Sequence, residues 1–149
     1  FGVPVAVAAP LLVSTGFSPI QAIVMASVGH GWGVTYGSMS SSFQTLMAVT
    51  GLPGEYLAQA TSILTGISVI CTGFLVTHIA DKKKGIQSTW ILTLFMGILL
   101  AFGMYVLSVN GLWIVSITVP SLVALITSFF WVRQLKIKKL GQQRPYFII

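Results

Sequence analysis

Apolar residues dominate the chain, and polar ones interrupt them at two different spacings. In the C-terminal part three apolar stretches run without a break, at 57–79, 88–108 and 111–132. Each satisfies the length rule for a transmembrane helix, about 20 apolar residues across a hydrocarbon core of about 30 Å. The link between the second and third is only Val109-Asn110-Gly111, so these two predict an antiparallel hairpin. Residues 1–56 read differently. Their Gly, Pro, Ser and Thr residues come too often for continuous spans, and the pattern predicts half-length helices.

The first of these pieces, Phe1 to Val13, carries Pro4 and Pro10 and ends at Ser14-Thr15-Gly16. It can reach the middle of a bilayer without crossing it, which suits residues 1–16 as one arm of a re-entrant hairpin. Ser18-Pro19 then reads as an N-cap followed by the first residue of a new helix. That helix, Pro19 to Val28, is expected to stop at Gly29-His30-Gly31-Trp32-Gly33, since three glycines in five residues disfavour helix. A second short apolar piece, Phe43 to Val49, follows the polar run Ser40-Ser41-Ser42 and closes at Gly51-Leu52-Pro53-Gly54. Residues 17–50 thus read as one discontinuous transmembrane helix.

At about 1.5 Å per residue from Pro19 the break begins roughly 15 Å in, near the bilayer middle. Peptide groups freed at that depth are tolerated where they face protein, water or substrate, and broken helices of this kind mark the sites of secondary transporters. A half-helix beginning near Ser40 would aim the positive end of its dipole at an anion. The alternative is a kinked span with an interfacial loop, its glycines and serines serving only helix packing. Nine Gly, Ser and Thr residues among positions 29–42, with no charged residue between them, favour the site.

Composition sharpens the class. Of 149 residues only 7% are charged and 55% are hydrophobic, against roughly 25% charged in a soluble domain, which excludes a water-soluble globule. The eight cations are Lys82, Lys83, Lys84, Arg133, Lys136, Lys138, Lys139 and Arg144, all in the first interhelical link or the tail. Three alternating spans place residues 80–87 and 133–149 on one side, which the positive-inside rule makes cytoplasmic. The surplus of positive charge therefore concerns topology and membrane lipid, and no nucleic-acid partner is expected. The tail from Arg133 to Arg144 also admits an amphipathic surface helix, with Leu135, Ile137 and Leu140 among its cations. The chain opens on Phe1 with no charged n-region before it, and reads as an internal piece of something longer.

Ionisable residues narrow the chemistry. Glu55 suits the N-terminal turn of its helix, Asp81 a solvated loop among lysines, and His78 the C-terminal end of a span. His30 alone falls deep in the membrane, where it could hydrogen-bond a carboxylate, carry a coupling proton, or rest neutral on a carbonyl of the break. Trp32 and Tyr36 wall a pocket or pack. Catalytic motifs and metal-ligand clusters are absent, and the single cysteine, Cys71, is mid-span, so no enzyme activity, cofactor or metal is expected.

Phe1-Gly2-Val3-Pro4-Val5-Ala6, with its small-residue run to Val13, resembles the Gly-Phe-Gly-x-Pro-Val-Ala hairpin motif of the lactate permease family. Gly16-Phe17-Ser18-Pro19 continues it in register. Val34-Thr35-Tyr36-Gly37-Ser38-Met39 is similar to the family's second motif, Pro-Val-x-Phe-Gly-Ala-Met-Gly, in the broken helix. The chain departs from that pattern at His30, Gly33 and Ser40 to Ser42.

The resemblance implies uptake of lactate or a related small 2-hydroxymonocarboxylate by proton symport in a bacterial or archaeal cytoplasmic membrane. It also implies that the chain belongs to the first of two inverted repeats, the remaining half of the same transporter being its partner. The expectation is an all-α membrane protein: a re-entrant hairpin arm, a discontinuous transmembrane helix and three full transmembrane helices. Gly2, Val3 and Pro4 with Gly37 to Ser42 would cradle the carboxylate. Thr35 and Ser38 would donate hydrogen bonds to it, Ser40 would bind it as part of the cradle, and His30 would bind or titrate. The competing expectations are a membrane-embedded structural or assembly subunit, or a channel, with no carrier activity.

Overall fold

The computed structural model describes residues 2–31 and 33–142, with side chains described outside 2, 4, 81–88 and 134–142. Among the described residues every regular element is helical. The order is α1 (Gly2–Ser14), α2 (Pro19–Gly31), α3 (Gly37–Thr50), α4 (Gly54–Val109) and α5 (Thr118–Gln142), with a 3₁₀ turn at Trp113–Val115 before α5. The expectations for Trp32 and for the tail side chains Leu135, Ile137 and Leu140 lie outside the described residues.

α1 and α2 form a helical hairpin whose turn is written in local hydrogen bonds. Gly16 takes φ +103°, a conformation that favours glycine, and the N–H groups of Thr15, Gly16 and Phe17 close back on Leu12 and Val13 carbonyls. Ser18 and Gln21 then make a reciprocal cap: the Gln21 N–H reaches Ser18 Oγ at 3.4 Å, and the Ser18 N–H donates to Gln21 Oε1 at 3.3 Å. Pro19 sits in the first turn, where its missing N–H costs nothing. α2 runs three residues past the expected stop at Val28 and ends at Gly31. A helical glycine costs only about 1 kcal/mol relative to alanine, a penalty that the packing of α2 on α1 and α4 outweighs.

Three segments are long and apolar enough to cross a membrane, Gly54–Ala80, Thr89–Val109 and Trp113–Arg133. The first two are arms of α4 that run antiparallel. Gly66 meets Ala101, Ile70 meets Gly97 and Gly73 meets Thr93, a ladder of small residues that lets the two arms approach closely. The third segment begins after a tight reversal at Gly111 (φ +79°), where the Leu112 N–H bonds the Leu107 carbonyl at 2.9 Å. Pro120 then packs its ring over Gly103.

Candidate functional site

Between α2 and α3 the helix is broken, and two sets of residues leave the break in opposite directions. Tyr36, Ser40, Phe43 and Met47 follow helical spacing and turn toward the long segments. Tyr36 and Phe43 are buried with Ala58, and Met47, Leu57, Trp113 and Ile117 close around them. The rings of Tyr36 and Phe43 lie 5.1 Å apart and those of Phe43 and Trp113 5.7 Å apart. Tyr36 Oη is 2.6 Å from Thr61 Oγ1. Thr61 lies seven residues into the first long segment, or about 10 Å from its Gly54 end, and Gly29 lies beside Val69, Thr72 and Gly73 farther along it. The break therefore runs alongside that segment from the level of Thr61 toward that of Val69.

His30, Gly33, Val34, Gly37, Ser38, Ser41 and Ser42 form the other set, again at intervals of three and four. Together with Val3 from the first turn of α1, they line a cavity of about 510 Å³. Of the residues expected at the site, the structure brings Val3, His30, Gly37 and Ser38 to this cavity. Thr35 is half-buried and does not line it, and Ser40 is fully buried on the opposite face. For Gly2 and Pro4 the side-chain surroundings lie outside the described residues. Ser41 and Ser42, expected as part of the Gly37 to Ser42 cradle, line it as well, whereas Gly33 and Val34 were not expected, although the 30-33-34-37-38-41-42 spacing would have found them.

The cavity carries hydroxyls and an imidazole on a partly apolar wall, and among the described residues no charged side chain lines it. Among the described residues no hydrogen bond engages the side chains of His30, Ser38, Ser41 or Ser42, so all four are available to a guest. A Cβ at Gly37 would meet nothing within 4 Å, so the backbone there borders open space.

The local backbone is unusual. Ser38, Met39 and Ser40 all lie in the left-handed region, with φ of 49°, 55° and 60°. Such residues cost about 1–2 kcal/mol each and rarely occur in succession, so a run of three persists only where the surroundings hold it. Two anchors do so here. Ser40 Oγ donates to the carbonyls of Tyr36 and Trp113, and Gln44 Nε2 donates to the Met39 carbonyl at 3.0 Å. Right-handed helix resumes at Ser41, so the positive end of the α3 dipole lies where Ser41 and Ser42 meet the cavity.

A second cavity, about 340 Å³, lies between Gly29 of α2 and the two arms of α4. It is mostly apolar, and Thr77 at its edge already donates to the Phe74 carbonyl. Thr72 and Thr93 also line it, and among the described residues no ionisable side chain does. No cluster of His, Cys, Asp or Glu suited to a metal ion occurs among the described residues.

Comparison with known proteins agrees with the motifs around this break. The chain is 30% identical over 108 residues to the L-lactate permease of Escherichia coli strain K12, covering 72% of this chain and 20% of that protein. It is 31% identical over 91 residues to the L-lactate permease of Halalkalibacterium halodurans, covering 58% of this chain and 17% of that one. The glycolate permease GlcA of Escherichia coli strain K12 is 33% identical over 98 residues, covering 65% of this chain and 17% of its own length. The chain thus spans about a fifth of the length of the curated relatives it matches. No solved structure matches it. The L-lactate permease family model matches residues 1–145, nearly the whole sequence with both motifs and all three long apolar segments, and the chain belongs to that family.

Proposed function

We propose that this chain holds the substrate in a secondary carrier for lactate, glycolate or a related 2-hydroxymonocarboxylate, coupled to protons. On this reading it is part of the first of two inverted repeats, with α1 as a re-entrant arm, in the cytoplasmic membrane. The observation that supports it best is the cavity at the helix break, faced by three serines and one histidine whose side chains have no hydrogen-bond partner among the described residues. A carboxylate there would accept hydrogen bonds from Ser38, Ser41 and Ser42 and lie at the positive end of α3. Gly37 would let the substrate approach the main chain, and the peptide groups of Gly2 to Pro4 would complete the cradle. Among the described residues no lysine or arginine lines the cavity. An anion held by dipoles and hydroxyls alone is held loosely enough to leave, as transport requires. His30, the one titratable side chain on the cavity, is the proton-coupling group of this reading.

Two variants in the full-length protein test the assignment. Gly37→Leu would project into open space, so it should leave folding intact and abolish saturable uptake of labelled lactate and glycolate into proteoliposomes. His30→Ala should uncouple uptake from an imposed pH gradient. Unchanged kinetics in both variants would discard the site, and uptake that never saturates would mean a channel. Absence of any carboxylate uptake by the parent would leave the structural-subunit reading.

A further inference from the structure

The cavity-lining serines do not hold their own position, because the segment that carries them is left-handed and tied from its other face. Two side chains there reach the long segments by directed bonds. Ser40, fully buried, donates to the main-chain carbonyl of Trp113, which the 3₁₀ turn also uses for the Ser116 N–H and hydroxyl. Tyr36, also buried, pairs its hydroxyl with Thr61 in the first arm of α4. Between these two anchors lies the run that delivers Gly37 and Ser38 to the cavity. One anchor leads to the start of the third long segment and the other to the first.

We propose that Ser40 and Tyr36 are positioning residues: they clamp the left-handed turn to two different long segments and so set where Ser38, Ser41 and Ser42 stand in the cavity. Neither side chain touches the substrate. Resting on the carrier reading above, the proposal makes the outer end of the third segment, through the Trp113 carbonyl, a determinant of substrate affinity although none of its residues lines the cavity. It also assigns Ser40 a role different from that of its neighbours Ser41 and Ser42, which chain position alone would group together.

The test uses the full-length protein carrying Cys71→Ser, with nitroxides at Val49→Cys on α3 and Phe129→Cys on α5, both exposed positions. The parent should give one narrow distance distribution. Ser40→Ala, Ser40→Gly and Tyr36→Phe should each broaden it, and each should raise KM for lactate about fivefold, the weight of one neutral hydrogen bond, with kcat little changed. Ser40→Gly separates two causes, since glycine accepts the left-handed backbone but has no hydroxyl. A narrow distribution in Ser40→Gly would show that backbone conformation alone matters and would overturn the proposal. So would an unchanged distribution in Ser40→Ala together with Tyr36→Phe, or a loss of kcat with KM unaltered. If the parent carries neither lactate nor glycolate, the carrier reading falls, and the distance measurements still decide the role of the two residues.

Discussion

Gly54 stands where the packing leaves no room for a side chain. A Cβ there would lie 2.7 Å from Met47 Sδ and 2.9 Å from the Trp113 ring. The methionine end can shift, but Trp113 is wedged against Phe43. Gly54→Ala should therefore cost about 1–3 kcal/mol, read as a lower unfolding midpoint in detergent, whereas Gly37→Ala should leave that midpoint unchanged. The sequence marked both glycines without separating them, because nothing local distinguishes a glycine under a tryptophan from one beside a void. The same limit applies to the serines. A run of three hydroxyls is visible in Ser40-Ser41-Ser42, but which one faces the scaffold depends on the left-handed turn before it. Three non-glycine residues with positive φ leave no signature in composition.

At the scale of elements, the long apolar segments were legible because length and hydropathy suffice to find them. Their pairing was not, since it depends on which small residues meet. Gly97 and Ile70 now fix that register: a Cβ at Gly97 would stand 3.6 Å from the Ile70 Cβ, within the range of a disulfide. The double variant Ile70→Cys, Gly97→Cys in a Cys71→Ser background should cross-link under mild oxidation. Cleavage at the lysine link between the arms would then leave the fragments joined until reduced, and separation without reductant would contradict the register. The broken helix was legible for a different reason. Glycines, hydroxyls and the absence of charge at 29–42 located the break, while helical spacing carried through it divides the segment into a scaffold face and a cavity face. The periodicity of 30-33-34-37-38-41-42 survives the break, and a motif-by-motif reading of the same residues missed it.

For the whole molecule, three long segments joined by a basic link and a short turn predict a single sidedness. In the full-length protein a cysteine at Lys83 should react with a membrane-impermeant thiol reagent only from the cytoplasmic side, and one at Asn110 only from outside. The opposite pattern would invert the topology. Large apolar side chains such as Ile20, Leu64 and Phe102 remain exposed on the outer surfaces of this chain, and lipid is a surrounding that this surface suits.

The hydrogen bond between Ser40 and Trp113 has unequal ends. Its acceptor is a peptide oxygen, which every amino acid supplies, whereas its donor is a hydroxyl that few residues can replace at a fully buried left-handed position. A saturation mutagenesis scan for uptake should therefore find position 113 open to other bulky apolar residues and position 40 weakened by nearly every replacement, mildly by alanine and glycine and severely by large side chains. Read side by side, the two profiles would look unrelated, and a search for paired substitutions would overlook the contact altogether.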